Sequence, residues 1–199
     1  DEFGSVKPGF PFDLGDQIWG SSAVNDIDND GDIEIVVCSK NTRVYALNSD
    51  GTQQFQYNTG KVLFGTPALG NIDDDDDLEI IIGSFSSPAS SNKIYVINPD
   101  GSDVNGFPFS IGEKMLRGVA LADFNNNGKV DIVVGTDSEN IYLIYDDGTV
   151  ADGFPFEGDS DFRSAPTILN YSGQNIILAG SKDGTFYGID QYGALIFEI

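Results

Sequence analysis

The acidic stretch at residues 23–37 reads AVNDIDNDGDIEIVV and decides how this chain of 199 residues is organised. It joins an aspartate-rich loop to a β-branched run. Similar stretches recur three more times, the last one shortened: residues 68–82, 120–134 and 167–178. The loops begin 45, 52 and 47 positions apart, measured between Asp26, Asn71, Asp123 and Asn170. Self-similarity at such periods is typical of repeat folds, including β-propellers.

Each repeat contains four short segments with the pattern of β-strands. Strand A is small and apolar, strand B is β-branched, strand C alternates around an aromatic residue, and strand D follows a glycine-containing turn. Strand D carries Gly-Phe-Pro-Phe at residues 106–109 and 153–156, and Pro67 and Pro166 lie in strand A. Proline cannot donate to a sheet ladder, so it is confined to edge strands. Four strands with proline at both edges predict an all-β protein, a β-propeller of four-stranded antiparallel blades.

The repeat also predicts the blade boundaries. We assign four blades within a single partial propeller, at residues 16–60, 61–112, 113–158 and 159–199. Residues 3–12 align with residues 147–156, which span the end of a C–D turn and a strand D. Residues 1–15 are therefore predicted to be the last strand of a preceding blade, and the four blades to be part of a larger propeller. A closed four-bladed ring, with residues 6–12 paired on blade 4, is the alternative.

Composition excludes several classes of function. The chain has 32 acidic and 10 basic side chains, no histidine and a formal net charge of −22. The lack of histidine excludes Ser-His-Asp catalysis and the commonest zinc sites. The charge disfavours nucleic acid and anionic membranes as partners, because both would repel the protein. No apolar run approaches the roughly 18 residues of a membrane helix, so no membrane insertion is predicted. Cys38 lies in an apolar run and is predicted to be a buried thiol.

The A–B loops concentrate the negative charge. Thirteen of the 32 acids lie in three nine-residue segments, residues 26–34, 71–79 and 123–131. In the first loop, acids occupy positions 1, 3, 5, 7 and 9, and Gly31 follows position 5. Alternating oxygen ligands in a flexible loop suit calcium, whereas magnesium requires a stricter octahedron. Position 12, which holds the closing acid of an EF-hand, is Val37, so the closing ligand is expected from strand B.

Two to three structural calcium ions are therefore predicted. The ligands are Asp26, Asp28, Asp30, Asp32 and Glu34 in the first loop, Asn71, Asp73, Asp75, Asp77 and Glu79 in the second, and Asp123, Asn125, Asn127, Lys129 and Asp131 in the third. Position 7 is expected to donate its backbone carbonyl, since the Lys129 side chain cannot be a ligand. Asp76 replaces glycine in the second loop and is expected to take the left-handed conformation. The two amides make the third site the weakest, and the acid-free fourth loop, residues 170–175, should bind no calcium.

These motifs resemble the FG-GAP repeats of the integrin α-chain propeller and the related bacterial VCBS-type repeats. The resemblance rests on the Asp-x-Asp-x-Asp-Gly-x-x-Glu loops, on Phe64-Gly65 at the start of strand A, and on Gly-Ser or Gly-Thr after strand B, as at Gly83-Ser84. The Gly-Phe-Pro-Phe strands are more similar to secreted surface proteins of bacteria or archaea. The resemblance implies seven or eight blades in the parent propeller, and an extracellular, calcium-stabilised adhesion or binding module, secreted or on the cell surface.

The face opposite the calcium loops is the predicted ligand face. Equivalent positions just before strand A hold Trp19, Phe64, Arg117 and Arg163. Positions just after strand B hold Lys40, Phe85, Asp137 and Lys182, and Lys114 lies on the third D–A link. Aromatic residues and cations are enriched at binding hot spots. For Trp19 and Phe64, packing between blades is an equally good interpretation, and the strand C tyrosines are assigned to the core: Tyr45, Tyr95, Tyr142 and Tyr187.

The leading functional hypothesis is a noncatalytic module that binds a protein or a carbohydrate, with the remaining blades of the parent propeller as further partners. The alternative is part of a secreted polysaccharide-degrading enzyme, because acids and a basic residue share the links at residues 113–117 and 159–163. A purely structural spacer is a third hypothesis. A quinone-dependent dehydrogenase is disfavoured, since the one tryptophan cannot supply a docking motif in every blade.

Overall fold

The computed structural model describes residues 5–199 and has an all-β architecture. Within this part, the helical content is one 3₁₀ turn at Ala89–Ser91, which lies in the serine-rich insert of the second repeat. Three sheets have four strands and one has three, and all strands pair antiparallel in chain order. The prediction of propeller blades is confirmed. Across residues 5–199, no helix has the length and apolar character needed to cross a membrane.

Fifteen strands form the four blades, and they are numbered in chain order. Blade 1 contains β1 (Ala23–Asn25), β2 (Glu34–Ser39), β3 (Arg43–Leu47) and β4 (Gln53–Asn58). Blade 2 contains β5 (Ala68–Gly70), β6 (Glu79–Gly83) and β7 (Ile94–Ile97). Blade 3 contains β8 (Ala120–Ala122), β9 (Asp131–Gly135), β10 (Asn140–Ile144) and β11 (Phe156–Glu157). Blade 4 contains β12 (Thr167–Tyr171), β13 (Gln174–Gly180), β14 (Phe186–Asp190) and β15 (Leu195–Glu198).

The hydrophobic core lies between successive blades. Strands B and C are β-branched and buried on both faces, as in β6 and β9, where every residue is buried. Each packs its two faces against the neighbouring sheets, which gives one apolar cluster for each pair of blades. Cys38 belongs to the cluster between blades 1 and 2, and burial raises the pKa of its thiol. The predicted buried thiol is confirmed.

The strand C tyrosines anchor the D–A links. Their hydroxyls hydrogen-bond to the link that precedes their own blade in all four repeats: Tyr45 to the Leu14 carbonyl, Tyr95 to the Thr59 carbonyl, Tyr142 to the Glu113 carboxylate, and Tyr187 as acceptor from the Asp159 amide. Three of these tyrosines are buried, and the fourth, Tyr142, is half-buried. The core side chains thus fix the position of the links that form one face of the molecule.

The Gly-Phe-Pro-Phe segments clasp the next blade. Gly106 and Gly153 have φ of +89° and +85°, and a β-carbon at either would lie 2.3 and 2.1 Å from the carbonyl oxygens of Asp147 and Tyr192. Gly9, in the N-terminal segment, has φ of +83° and makes the same approach to Asp50. Glycine is required there because any side chain would collide with the C–D turn of the following blade.

Two predicted D strands are not formed. In blade 2, residues 103–109 make only isolated bridges, Ile94 with Phe109 and Ile97 with Asp103, and Pro108 has no amide to extend the ladder. Residues 1–15 were expected to be a strand. Residues 1–4 lie outside the described part, and residues 5–15 form no strand, since none of the described strands lies alongside them. Residues 5–15 still pack where a preceding blade would, with Phe12 and Leu14 against blade 1.

The blades do not close into a ring. Among the described residues, equivalent hydrogen bonds join blade 1 to 2, 2 to 3 and 3 to 4: Leu78 N to Ile27 O, Val130 N to Asn71 O, and Asn175 Nδ2 to Asp123 O. The outer face of blade 4 leaves Leu169 and Phe197 exposed. This arrangement fits a part of a larger propeller, and not the alternative in which residues 6–12 pair on blade 4.

Candidate metal centres and the opposite face

Two of the predicted loops bring three acids together. In the first cluster, carboxylate oxygens of Asp26, Asp28 and Glu34 lie within 4.8 Å of one another. The second cluster contains Asp73, Asp75 and Glu79, with the same spacing. The two glutamates begin strands β2 and β6 and are 1% and 0% exposed. Both clusters are groups that could hold a metal ion.

Several oxygens in these clusters are buried without a partner. They are Asp26 Oδ1 and Asp28 Oδ1 in the first cluster and Glu79 Oε1 in the second. Burying a carboxylate is costly unless it is paired with a cation or hydrogen-bonded. A cation bound in each of these two equivalent loops would supply the partner that the three oxygens lack. The residues present therefore fit a metal ion with oxygen ligands.

Burial and like charges raise the pKa of the closing acids. Burial raises the pKa of Glu79 to about 7, and the charges of Asp73 and Asp75 add to the effect. Burial likewise raises the pKa of Glu34, with the acids of its own loop as a further cause. A bound cation would reverse both causes, since it would favour the ionised carboxylates.

A common hydrogen bond holds the closing acid in all three loops. The amide at position 2 donates to the acid at position 9: Ile27 to Glu34 at 3.1 Å, Ile72 to Glu79 at 2.8 Å, and Phe124 to Asp131 at 2.8 Å. The other oxygen of Glu79 is buried without a partner, whereas that of Asp131 accepts the Asp146 amide at 3.1 Å. Strand B thus supplies the closing side chain, as the sequence predicts.

The loops reach this arrangement by different backbone routes. Asn29 and Gly31 in the first loop, and Asn126 and Gly128 in the third, have positive φ, between +53° and +94°. No residue of the second loop does, so the expectation of a left-handed Asp76 is wrong. A β-carbon makes that conformation costly, and the second loop turns without it.

The remaining predicted ligands of the first two loops lie outside the clusters. Asp30 Oδ1 accepts from the amide of Asp32 at 2.8 Å, and both residues line a separate cavity beside the C–D turn of blade 1. The side-chain amide of Asn71 donates through Nδ2 to the backbone carbonyl of Asp75. Asp77 Oδ1 accepts from Asn29 Nδ2 at 3.2 Å, which ties the first two loops together.

The third loop is satisfied by the protein itself. Both oxygens of Asp131 accept backbone amides, from Phe124 at 2.8 Å and from Asp146 at 3.1 Å. Asp123 accepts the amides of residues 126–128. The Asn125 and Asn127 side-chain oxygen atoms are not drawn into a cluster: Asn125 Oδ1 accepts the Asn127 amide at 3.0 Å, and Asn127 Oδ1 accepts the Lys129 amide at 2.9 Å. Burial raises the pKa of Asp131 to about 6.

Lys129 supplies a positive charge to the third loop. Its ammonium lies 2.6 Å from Asp74 of the second loop and 3.6 Å from Asp146. The side chain of Asp74 is 95% exposed, so the first of these pairs is a weak surface interaction. The lysine nevertheless places a cation beside the loop that has the fewest acids of the three acidic loops.

The fourth loop is a tight hairpin. Strands β12 and β13 pair as far as Tyr171 with Gln174, so only Ser172 and Gly173 form the turn. Both have positive φ, +54° and +79°. Two left-handed residues are the requirement of the commonest two-residue hairpin. The loss of three residues thus converts an acidic loop into a simple turn.

Sequence reasoning missed two residues beside the loops. Gln54 on strand β4 donates to Asp28 Oδ2 at 2.8 Å, and its own amide oxygen is buried without a partner. Asp146, in the C–D turn of blade 3, contacts Asn127 and Lys129. Both lie in other strands or turns and have no fixed spacing from the loops. Only the pairing of strands brings them close.

The opposite face is built by one repeated hydrogen bond. The amide just after strand B donates to a carbonyl of the D–A link in every blade: Lys40 to Gln17, Phe85 to Val62, Asp137 to Lys114, and Lys182 to Asp161, at 2.8 to 2.9 Å. The predicted neighbours before strand A and after strand B are therefore brought together. The acidic loops lie at the other ends of these strands.

Aromatic rings form a strip across blades 1 and 2 on this face. The Trp19 ring stacks on Phe64 with centroids 4.7 Å apart, and Phe64 contacts Phe85 at 5.3 Å. The Lys114 ammonium lies 5.0 Å from the centroid of Phe85. Trp19 is 56% exposed, and its indole N–H donates to Gln17 Oε1 at 3.0 Å. Packing between blades and exposure to solvent are thus combined in the same residues.

The arginines of blades 3 and 4 differ in their partners. Arg163 donates to both oxygens of Asp137, at 3.1 and 3.2 Å, and lies 3.0 Å from Asp161. Lys182 lies 3.5 Å from the same Asp161. Arg117 is exposed and has no ion pair within the described residues. Both arginines line one cavity at the start of the A strands.

Comparison with known families identifies the repeat. A family profile described as FG-GAP-like repeat matches residues 71–134, which run from the second acidic loop through the third. A sequence search among curated proteins finds no match. The family match therefore rests on the part of the chain that contains two complete A–B loops.

Solved structures with the same fold have low sequence identity. The Vibrio cholerae biofilm matrix protein Bap1 is 16% identical with a TM-score of 0.68, covering 90% of this chain and 28% of its own. The C-terminal domain of PilY1 from Pseudomonas aeruginosa is 13% identical with a TM-score of 0.66, covering 87% and 50%. BBS1N, solved in complex with ARL6DN, is 13% identical with a TM-score of 0.66, covering 92% and 54%.

These likenesses concern the fold. The chain spans about half or less of each of these structures, which agrees with blades that leave the ring open. The sheets of the described residues and the family match at residues 71–134 agree with the resemblance found in the sequence. The described residues therefore form β-propeller blades, and residues 71–134 match the FG-GAP-like repeat.

Proposed function

We propose that the chain is part of a calcium-stabilised, extracellular binding module that recognises a protein or carbohydrate ligand through the face opposite the acidic loops. The observation that carries this proposal is that the two faces of the blades present different kinds of side chain. Buried acidic clusters lie at the A–B loops, whereas exposed aromatic and cationic side chains lie at the D–A links. One face would hold cations that stabilise the blades, and the other would contact the ligand.

Calcium is the ion that the donor set favours. Both clusters offer carboxylate oxygens, the ligands of hard cations, in flexible loops that suit the variable coordination of calcium better than the octahedron of magnesium. The ion would supply positive charge to the partnerless oxygens of Asp26, Asp28 and Glu79. The third loop would bind more weakly, because Asp131 already accepts two amides that a metal would have to compete with.

The position of the acidic loops supports a structural role for calcium. Each loop connects strands A and B of one blade and is bonded to the next, as by Asn29 to the Asp76 carbonyl at 2.6 Å. Neutralising the loops would therefore hold neighbouring blades together. Extracellular modules of this kind bind calcium weakly, which suits a compartment rich in the ion. Bap1 is named as a biofilm matrix protein, which is in keeping with an extracellular setting.

A noncatalytic role is supported by the contacts of the acids on the D–A links, because these are the acids that an enzyme would need. The Glu113 carboxylate accepts from Thr136 at 2.5 Å, Asn140 at 2.9 Å and Tyr142 at 2.8 Å. Three donors leave it little capacity for proton transfer, and they assign it to holding the link. Asp161 is engaged by Arg163 and by Lys182. A polysaccharide-degrading enzyme remains the second candidate, and it would have to use Asp159 or an acid outside these two links.

Thermal unfolding with and without calcium tests the proposal. A ligand that binds only the native state must raise the midpoint, by an amount set by its concentration relative to Kd. We expect millimolar calcium to raise the midpoint over that in chelator, and equimolar magnesium to do so much less. An equal effect of the two ions, or none, would contradict the proposal. Screening secreted proteins and glycans against the calcium-loaded protein then tests the binding role.

A further inference from the structure

We propose that the face opposite the acidic loops binds an acidic polysaccharide, with Arg117 as the residue that recognises its carboxylate or sulfate group. This inference rests on the proposed binding function and names the ligand class. It is carried by a groove at the start of the A strands. The groove contains two adjoining cavities of about 600 and 320 Å³, which share Arg163 and Ser164.

Cations line this groove, and acids do not. Arg117 and Arg163 line the larger cavity, and Arg163 and Lys182 line the smaller one. We call this surface the cationic groove. Two cavities on the other face are lined by acids instead, including Asp73 and Asp146 in one and Asp30 in the other. In a protein with 32 acids and 10 basic residues, a groove whose charged lining residues are all basic favours an anionic ligand.

Arg117 is the cation available to a ligand. Arg163 and Lys182 are held by Asp137 and Asp161, which neutralise two of the three positive charges. The Arg117 guanidinium has no such partner among residues 5–199, and Arg117 lines the larger cavity. A planar guanidinium matches the two oxygens of a carboxylate or a sulfate. Thr66 lines the same cavity, and its hydroxyl is a further donor within reach of a bound oxyanion.

The aromatic strip adjoins the groove and points to a carbohydrate. Gly65 packs so closely on the Arg117 carbonyl that a β-carbon would lie 2.7 Å from it, and Gly20 packs in the same way on Gly65. The positions of Trp19, Phe64 and Arg117 are therefore consecutive across three blades. The exposed Trp19 indole, which packs on Phe64 at an interplanar angle of 35°, offers a surface for the apolar face of a sugar ring. A polymer of charged sugars would use the platform and the groove together.

The net charge of −22 does not prevent this binding. Strands of five or six residues separate the two faces by roughly 17–20 Å. The Debye length at physiological salt is about 8 Å, so the acidic loops are screened from the groove. Calcium in those loops would reduce their charge further. Duplex nucleic acid is a poorer fit, since its dense phosphates need many more free cations than one arginine.

The single tryptophan gives a direct readout of this site. We would titrate the calcium-loaded protein with oligogalacturonate and with sulfated dextran oligosaccharide, and follow Trp19 fluorescence at physiological salt. The two probes distinguish carboxylate from sulfate. A neutral maltooligosaccharide, an oligoglutamate peptide and a single-stranded oligonucleotide serve as comparisons. We expect a saturable change with at least one acidic sugar, and a much smaller one with the other three probes.

Matched variants assign the binding to Arg117. Arg117→Gln should weaken binding of the acidic sugar by about tenfold or more, as expected when a charge-assisted hydrogen bond is lost. Lys7→Gln removes the same charge elsewhere on the surface and should leave binding unchanged. Trp19→Ala, followed by calorimetry, should also weaken binding, and Trp19→Phe should restore part of it. Unfolding midpoints of all variants identify any that fail to fold.

Several results would contradict the proposed ligand. Failure of both acidic sugars to bind, equal effects of Lys7→Gln and Arg117→Gln, or tighter binding of the peptide or the oligonucleotide would overturn the assignment. If calcium stabilises the protein but no acidic sugar binds, the ligand class is wrong and the proposed module stands. If calcium has no effect, the proposed function fails, whatever the sugar titration gives.

Discussion

The second and fourth A–B loops occupy the same place in their blades and differ in what closes them. The second loop holds three converging acids, one of them the fully buried Glu79 with a partnerless oxygen. The fourth loop needs only Ser172 and Gly173 to reverse the chain. The blade therefore does not require an acidic loop in order to form. Where the acids are present, they carry a cost that a bound cation would remove, and this difference supports the proposal that they bind one.

The third loop lies between these extremes. Its closing acid, Asp131, is fully paired by backbone amides, and Lys129 contributes a positive charge of its own. Such a loop is stable without a metal and gains less from one. The comparison thus ranks the loops by how much each depends on calcium: the first two most, the third less, the fourth not at all.

The largest effect is expected from Glu79→Gln. The amide keeps the acceptor for Ile72 and removes a buried charge, so the variant should be more stable than the parent in chelator. In millimolar calcium it should be less stable, because the second site is weakened. A site at one hundred times its Kd contributes about 2.7 kcal/mol, which corresponds to several degrees in the unfolding midpoint.

Asp131→Asn is the matched control for Glu79→Gln in the third loop. Its amide group would face a backbone donor, so the midpoint should fall by a similar amount in calcium and in chelator. The distinction between the loops would be lost in either of two cases. One is that Asp131→Asn is more stable than the parent in chelator and less stable in calcium; the other is that Glu79→Gln does not show this reversal.

The pH dependence of the chelated protein should come next in size. The pKa of Glu79 is raised to about 7 in the folded state, against about 4.3 in an unfolded chain. Between these values the folded state binds more protons, so the free energy of unfolding should decrease as the pH rises from 5 to 7. Chemical denaturation across this range measures it. With saturating calcium the dependence should largely disappear, because the ion keeps the folded-state acid ionised, as it already is in the unfolded chain at this pH. An unchanged slope would count against the site.

A smaller effect on the free energy of unfolding is expected from the different backbone conformations of the first and second loops. Gly31 has φ of +94°, so Gly31→Ala should cost about 1–2 kcal/mol in the free energy of unfolding. Asp76 takes the equivalent position without positive φ, so Asp76→Ala should change it by no more than about 0.5 kcal/mol. Equal costs would mean that the two loops share one backbone conformation after all.

The smallest effect is expected from Lys129→Met in the third loop. The ion pairs it makes with Asp74 and Asp146 are exposed or partly exposed, so the unfolding midpoint in chelator should fall only slightly. Removing the cation should at the same time strengthen calcium binding at this loop, measured by calorimetry. A weaker third site in this variant would contradict the role assigned to Lys129.

The sequence predicted most of the fold because the repeat is carried by local patterns. Alternating apolar residues, glycine turns and edge prolines specify each blade, and Glu34 and Glu79 were assigned as closing ligands from position alone. Contacts between distant segments were not predictable. Gln54 reaches Asp28 through the pairing of strands, and the partners of Arg163 depend on how links cross between blades. The backbone of Asp76 was mispredicted because a loop with a missing glycine has more than one way to turn.

Calcium titration of chelator-treated protein by isothermal calorimetry tests the central claim most directly. We expect two sites of higher affinity, assigned to the first and second loops by their loss in Asp28→Asn and Glu79→Gln, and at most one weaker site from the third. Protons should be released on binding at pH 6 to 7, since Glu79 must ionise. Absence of calcium binding, or binding that survives both substitutions, would contradict the account.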